Sequence, residues 1–181
     1  MKTLIFSMIS VFILFGCGNG PTENNATYGT IEVLATNSLT AEQLSAVSPT
    51  NTESIILSVV EVSVKKVGEE EWQIISDSEI KVDFFELANN LFMPLGEIKL
   101  ETGTYNQLRI MIAESNEIVI DGTSHNLIVP SGVETGLKIN LNFEIEENQE
   151  TEVTVDLRTQ AVVWSNPDYL LQPAFNASVD E

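Results

Sequence analysis

The sequence predicts an all-β domain, an antiparallel β-sandwich of about ten short strands. Two observations carry this. From Leu137 to Ile145 every second residue is apolar (Leu137, Ile139, Leu141, Phe143, Ile145), with Lys138, Asn140, Asn142 and Glu144 between them. A period of two over such a run is a half-buried strand, because the apolar stripe of an amphipathic helix recurs near 3.6. The second observation is that short Val/Ile/Thr/aromatic runs recur along the chain between turn residues, with almost no helical periodicity. A strand with one apolar face needs a sheet around it and a second layer to cover it, which a sandwich supplies.

Each element has its own signal. Residues 28–35 (YGTIEVLA) alternate and read as the first strand. Thr40 and Gln43 form a capping-box pattern, so a single helical turn is expected near residues 41–47, ahead of Pro49. Residues 53–67 (ESIILSVVEVSVKKV) are a long Val/Ile-rich strand, two-sided at its start and alternating later. After a turn at 68–71, residues 72–75 and 80–85 continue in strand, and 86–95 is irregular. Residues 95–101 lead through a turn into a strand that ends near Ala113. Asp121-Gly122 marks a hairpin between 117–120 and 125–129, its loop extending as far as Ser124. After the alternating strand come an acidic turn at 146–150, a strand at 152–158, and two closing segments, 161–164 and 170–179, around the loop 165–169. The chain of 181 residues has no internal repeat and reads as one domain of residues 28–181 behind a leader and linker.

Charge narrows the partners. The chain carries 27 acidic and 8 basic residues, a net −19 at pH 7. Such a surface repels phosphate backbones and anionic headgroups, so nucleic acid is excluded as a partner and no basic patch serves as a membrane anchor. The acidity reads first as solubility and self-repulsion, second as a means of holding cations. The single cysteine, Cys17, excludes an internal disulfide and any Cys-based zinc site.

That cysteine is informative through its position. Residues 1–16 (MKTLIFSMISVFILFG) place Lys2 before an apolar run too short to span a bilayer comfortably, the pattern of a secretory signal. The run ends Leu14-Phe15-Gly16-Cys17, which resembles the bacterial lipobox. The resemblance implies diacylglyceryl modification of Cys17, cleavage after Gly16 and acylation of the new amino terminus. Anchoring by more than one chain is stable, since each buried CH₂ contributes about 0.8 kcal/mol. Gly18 stands where an Asp would favour inner-membrane retention, which by resemblance points to the outer membrane, on its periplasmic or surface face. Loss of residues 1–16 removes Lys2 and leaves 7 basic against 27 acidic residues, −20. Residues 18–27 (GNGPTENNAT) hold nothing apolar larger than Ala26, so residues 17–27 read as a lipidated Cys17 with a flexible tether reaching about 15–20 Å.

Three stretches, GTYNQLRI (103–110), PSGVETGLK (130–138) and DLRTQAVVWSNPDYLLQP (156–173), resemble in order and spacing the bacterial lipoproteins grouped as domain of unknown function 4382. The resemblance spans roughly residues 28–179. It implies a lipid-anchored β-sandwich, immunoglobulin- or prealbumin-like, and no established activity. The motif residues themselves read as architecture. Gly103, Gly132 and Gly136 suit turn conformations closed to residues with a Cβ. Tyr105 at a strand entry can return its hydroxyl to a neighbouring backbone group, as in a tyrosine corner.

No catalytic constellation stands out. His125 is the only histidine, and with Asp121 and Ser131 it forms the only acid–His–hydroxyl set. Ser131 lies six residues further along, roughly 20 Å at about 3.3 Å per residue, too far for a triad. Glu114, Glu117 and Asp121 cluster at one hairpin and could form a glycosidase pair, though solvated turn acids are the commoner case. Glu69-Glu70-Glu71, and Glu144, Glu146, Glu147 and Glu150, could hold Ca²⁺ weakly, but no Asp-x-Asp-x-Asp loop is present. Trp164 and Tyr169 bracket Ser165-Asn166-Pro167-Asp168; exposed, they would make a stacking platform for sugars, and otherwise they pack into the sandwich edge. The sequence therefore predicts a non-catalytic binding or structural module with no cofactor and no metal. It would be held to the membrane by acyl chains on Cys17 and face an envelope or extracellular protein or glycan. An envelope glycan hydrolase using turn carboxylates is the alternative.

Overall fold

A computed structural model describes residues 26–130 and 132–180; Cys17, the leader and most of the tether lie outside them, as does Ser131. The strands are β1 (Tyr28–Thr36), β2 (Thr52–Lys66), β3 (Gln73–Ser76), β4 (Ile80–Asp83), β5 (Phe92–Glu101), β6 (Gly103–Ile112), β7 (Glu117–Ile120), β8 (Thr123–Ile128), β9 (Leu137–Ile145), β10 (Glu150–Asp156), β11 (Thr159–Ser165), β12 (Asp168–Pro173) and β13 (Asn176–Asp180). One helix, α1 (Ala41–Ala46), starts at the expected capping box: the Thr40 side chain accepts from the Gln43 N–H, and the Gln43 side chain accepts from the Thr40 N–H.

Two sheets pack face to face, in agreement with the predicted all-β sandwich. The smaller runs β13-β10-β1-β5 and the larger β11-β12-β8-β7-β2-β6-β9. Strand β2 is the true spine. Ile56 pairs with both Asp83 and Glu117, and Val59 with both Ile80 and Ile112, so β7 and β6 share one side of β2 while β4 and β3 line the other. The strand with the cleanest alternation, β9, is instead an edge, bonded only to β6. Its Ile139, Phe143 and Ile145 are buried while Lys138, Asn140, Asn142 and Glu144 are exposed. One face meets the core and the other stays in water, and this is why its pattern is so legible.

The core joins Ile31, Val33 and Ala35 of β1 and Val153 and Val155 of β10 to Ile55, Leu57 and Val59 of β2 and Leu108, Ile110 and Ile112 of β6, all essentially inaccessible to water. Tyr105 lies among them and stacks on Phe143 at 5.3 Å. Its hydroxyl donates to the Glu101 carbonyl at 2.9 Å, the corner foreseen from the sequence. Gly103 (φ +138°) and Gly136 (φ +71°) occupy the left-handed half of backbone space, as expected. At Gly132 the constraint is proximity, because a Cβ there would sit 3.0 Å from the Cβ of Ile112.

Three features depart from the expected antiparallel pairing and segment bounds. Strand β1 runs parallel to β10, and β8 parallel to β12. Parallel neighbours need long connections, so these pairings join segments far apart in sequence and leave no local signal. The closing segment divides at Ala174-Phe175 into β12 in the large sheet and β13 in the small one. The hairpin between β7 and β8 is tight: Asp121 (φ +49°) and Gly122 (φ +70°) make a two-residue turn, and β8 starts at Thr123.

These pairings give the domain two ends. The chain enters at Thr27, whose backbone carbonyl accepts from the Thr102 N–H at 2.9 Å, beside Glu101 and the Lys66 end of β2. The Thr52 end of β2, paired with Ile120, lies about 45 Å away along the strand at about 3.3 Å per residue. Strands β8, β12 and β11 extend the large sheet sideways near that far end, as a three-stranded wing.

Candidate ligand-binding site

The wing carries the aromatic pair expected from the sequence. Trp164 and Tyr169 are direct cross-strand partners in the β11–β12 hairpin, whose turn is Asn166-Pro167. Their rings meet edge to face, with centroids 4.9 Å apart and an interplanar angle of 68°. Tyr169 pairs with Leu127 of β8, so His125, two residues back on that strand, reaches Tyr169 diagonally. The two rings stand 5.4 Å apart at 69°. The result is a row of three rings on three adjacent strands. Such edge-to-face contacts are each worth about 0.5–1.5 kcal/mol and fix ring orientation.

The two rings of the pair differ in exposure. Tyr169 is half-buried against the core, whereas Trp164 is 57% exposed, a large value for the biggest side chain. Paired residues share a sheet face, so the row lies on the side of buried Leu127, where the sheet outruns its covering layer. His125 escaped the sequence reading of this site. Its place depends on the parallel β8–β12 pairing, which brings together residues more than forty positions apart.

The opposite face of the large sheet holds a polar cleft of about 320 Å³, lined by Ser58, Glu79, Lys81, Asn116, Glu117 and Asn126 among others. Asn116 forms its floor. Its Oδ1 accepts from the Ser58 N–H at 2.9 Å, and its Nδ2 donates to the Ala113 carbonyl at 2.7 Å. Glu117 accepts from Ser124 Oγ at 2.7 Å. Period-two alternation puts Glu117, Ser124 and Asn126 on this face and the His125 ring on the other, yet His125 also borders the cleft and is the residue that the cleft and the aromatic row share.

The remaining sequence candidates are dispersed. Asp121 accepts from Asn51 Nδ2 at 2.8 Å, while His125 rests on Tyr169, so the two do not form the orienting pair of a triad. Asp121 and Glu117 stand at opposite ends of β7, about 13 Å apart along the strand; a glycosidase pair needs roughly 5–9.5 Å. Glu114 is solvent-exposed. Glu70 faces Lys65 at 3.6 Å, and Glu69 faces Lys66 at 3.8 Å while accepting from Gln73. Glu144, Glu146 and Glu150 line one shallow cleft with Asp180. Among the described residues no group of three or more His, Cys, Asp or Glu side chains is gathered to hold a metal ion.

Trp72, unremarked in the sequence, organises the outer face of the large sheet nearer the tether. The Arg109 guanidinium lies 4.4 Å from its ring centroid, and Lys65 and Lys138 each lie 6.0 Å away. Arg109 also donates to Glu61 at 2.6 Å and to Ser63 at 3.1 Å.

Fold and site together define a two-sheet β-sandwich bearing an aromatic wing at the end remote from its chain entry. The family model for DUF4382, a domain of unknown function, matches residues 32–173, from within β1 to the end of β12, and the chain belongs to that family. No curated protein and no solved structure matches it.

Proposed function

We propose that the protein is an envelope lipoprotein, anchored through acyl chains on Cys17, whose β-sandwich binds a protein or glycan polymer at the aromatic wing without transforming it. The observation that carries this reading is Trp164, 57% exposed at the head of an ordered ring row in a domain whose other large apolar side chains mostly pack inward. An indole held edge-on by a neighbouring ring keeps a face open for the apolar side of a sugar or for another side chain. The lipobox and the tether support the anchoring, with the outer membrane as the expected site. The wing stands at the far end from the tether, a suitable geometry for presenting a ligand away from the bilayer.

The test uses the full chain and two variants, Trp164→Ala and Cys17→Ala, against soluble envelope glycans and chromogenic glycosides and esters. Saturable binding to a glycan or envelope protein that quenches indole fluorescence, lost in Trp164→Ala without turnover, is the expected result. Hydrolysis abolished by Glu117→Gln would replace binding by the hydrolase reading. Cys17→Ala is expected to move the protein from the membrane to the soluble fraction; retention in the membrane fraction would refute the anchor.

A further inference from the structure

The two faces of the wing differ in what they offer. Val163 of β11 pairs with Leu170 of β12, and Leu170 with Ile128 of β8, so these three side chains form one row across the wing, on the face opposite Trp164 and Tyr169. Val163 is 37% and Ile128 41% exposed, with Leu170 half-buried between them. The strands that carry the row are unusual for this chain. TSHNLI, TQAVVWS and DYLLQP contain one Asp, Glu, Lys or Arg side chain, Asp168, in a protein of net charge −19.

The free edges elsewhere are defended. Strand β9 carries Lys138 and Glu144, β5 carries Pro94, Glu97, Lys99 and Glu101, and β13 ends in Asp180. Charges and prolines at such positions keep sheets from associating. On β11 neither occurs, and its edge is met by one backbone contact, from the Val162 N–H to the Val47 carbonyl at 2.8 Å. The edge is thus partly covered, while the outer face stays bare.

We infer that the Val163–Leu170–Ile128 face is a self-association surface, occupied by the same face of a second copy. Charge decides the occupant. A basic partner would meet one carboxylate on the three strands of the wing, Asp168, with Glu117 of β7 beside them on the same face, and an anionic membrane is repelled by the chain as a whole. A second copy is repelled too, except through a patch that brings almost no charge into the contact, and interface cores are depleted of charge in just this way. A two-fold axis over the row would set the wings antiparallel, which sends the two Asp168 side chains to opposite ends. Sheets stacked so lie about 10 Å apart and interdigitate their apolar rows. The row exposes far less than the roughly 800 Å² per partner of a stable interface, so association is weak in dilute solution. Confinement to one membrane would raise the effective concentration toward the millimolar range, where a weak contact is populated.

Sedimentation equilibrium of the full chain in density-matched detergent micelles tests this, at protein concentrations up to about 1 mM and in 0.05 and 0.5 M NaCl. The expected result is a reversible monomer–dimer equilibrium that tightens several-fold at the higher salt, because screening removes the repulsion between two acidic copies. Val163→Asp and Ile128→Asp, both at exposed positions and each checked for an unchanged urea midpoint, should each abolish the dimer. Trp164→Ala, on the other face, should leave it intact. A monomer throughout, a dimer that survives both aspartates, or one that weakens with salt would overturn the inference. So would loss of self-association in favour of adsorption to zwitterionic vesicles. The ligand-platform reading is judged separately, by the effect of Trp164→Ala on binding.

Discussion

Removing one oxygen, in Tyr105→Phe, tests the corner that ties the β5–β6 turn to the core. The ring is fully buried, and its hydroxyl donates to the Glu101 carbonyl at 2.9 Å and reaches Gln73 Oε1 at 3.2 Å. A buried hydrogen bond of this kind contributes about 0.5–1.5 kcal/mol net, and abandoning its acceptor adds to the loss. The variant should therefore be about 1.5 kcal/mol less stable at pH 8, with a Tm lower by about 3–6 °C. Alkali adds a second signature. Burial, followed by the negative charges of Glu69 and Glu101, pushes the hydroxyl up from 10.0 to about 12, opposed by the hydrogen-bond contact with the Gln73 side chain. The folded state keeps this proton after the unfolded chain has lost it, so the contribution is whole below pH 10 and lost as pH rises toward 12. Two pH units correspond to about 2.7 kcal/mol at about 1.36 kcal/mol per unit. Phenylalanine has no proton to lose. The wild-type advantage of about 1.5 kcal/mol should consequently close near pH 11 and reverse above it. Urea unfolding of both proteins from pH 8 to 11.5 measures the gap, and a gap constant across that range would refute the reasoning about burial.

Two further substitutions probe other contacts. Gly29→Ala would place a Cβ 2.2 Å from the Glu146 carbonyl oxygen and 3.0 Å from that of Gln149, both backbone atoms, and should cost about 3 kcal/mol in a urea midpoint measurement; a midpoint within error of wild type would show that the turn yields freely. Trp72→Ala should cost about 1–2 kcal/mol, and a double-mutant cycle with Arg109→Met should return a coupling of about 0.5–1 kcal/mol for the stacked guanidinium, where zero coupling would mean the indole merely covers the sheet.

What could be read in advance follows from the range of each interaction. The edge strand β9, the capping box at Thr40 and the Asp121-Gly122 hairpin are local, and each appears where its pattern sits. The Tyr105 corner spans four residues and is equally visible. Trp164 and Tyr169 were legible as a pair because a two-residue turn makes them partners. The rest depends on distant segments. The sequence of β2 is two-sided and irregular because successive residues on both of its faces are buried at Leu57–Val59 and Val62–Val64, so the spine of the fold looks less like a strand pattern than β9 does. His125 joins the ring row, and Arg109 and Lys138 gather under Trp72, only through strand pairings that no local rule specifies. Glu114, Glu117 and Asp121 show the converse: neighbours in sequence, they are spread out by the extended geometry of β7.

The position of β1 has a mechanical consequence. A pull on the chain at Thr27 loads β1 along its axis, and β1 is an interior strand, bonded to β10 from Thr30 to Thr36 and to β5 from Tyr28 to Thr36. Both ladders lie alongside the force, so their bonds share the load and must yield together rather than open one after another from an end. Strand β13, at the margin of the same sheet, is held by five paired positions on one side only and would peel at far lower force. A load applied to the chain ahead of β1 would thus enter the domain through one of its most shear-resistant strands.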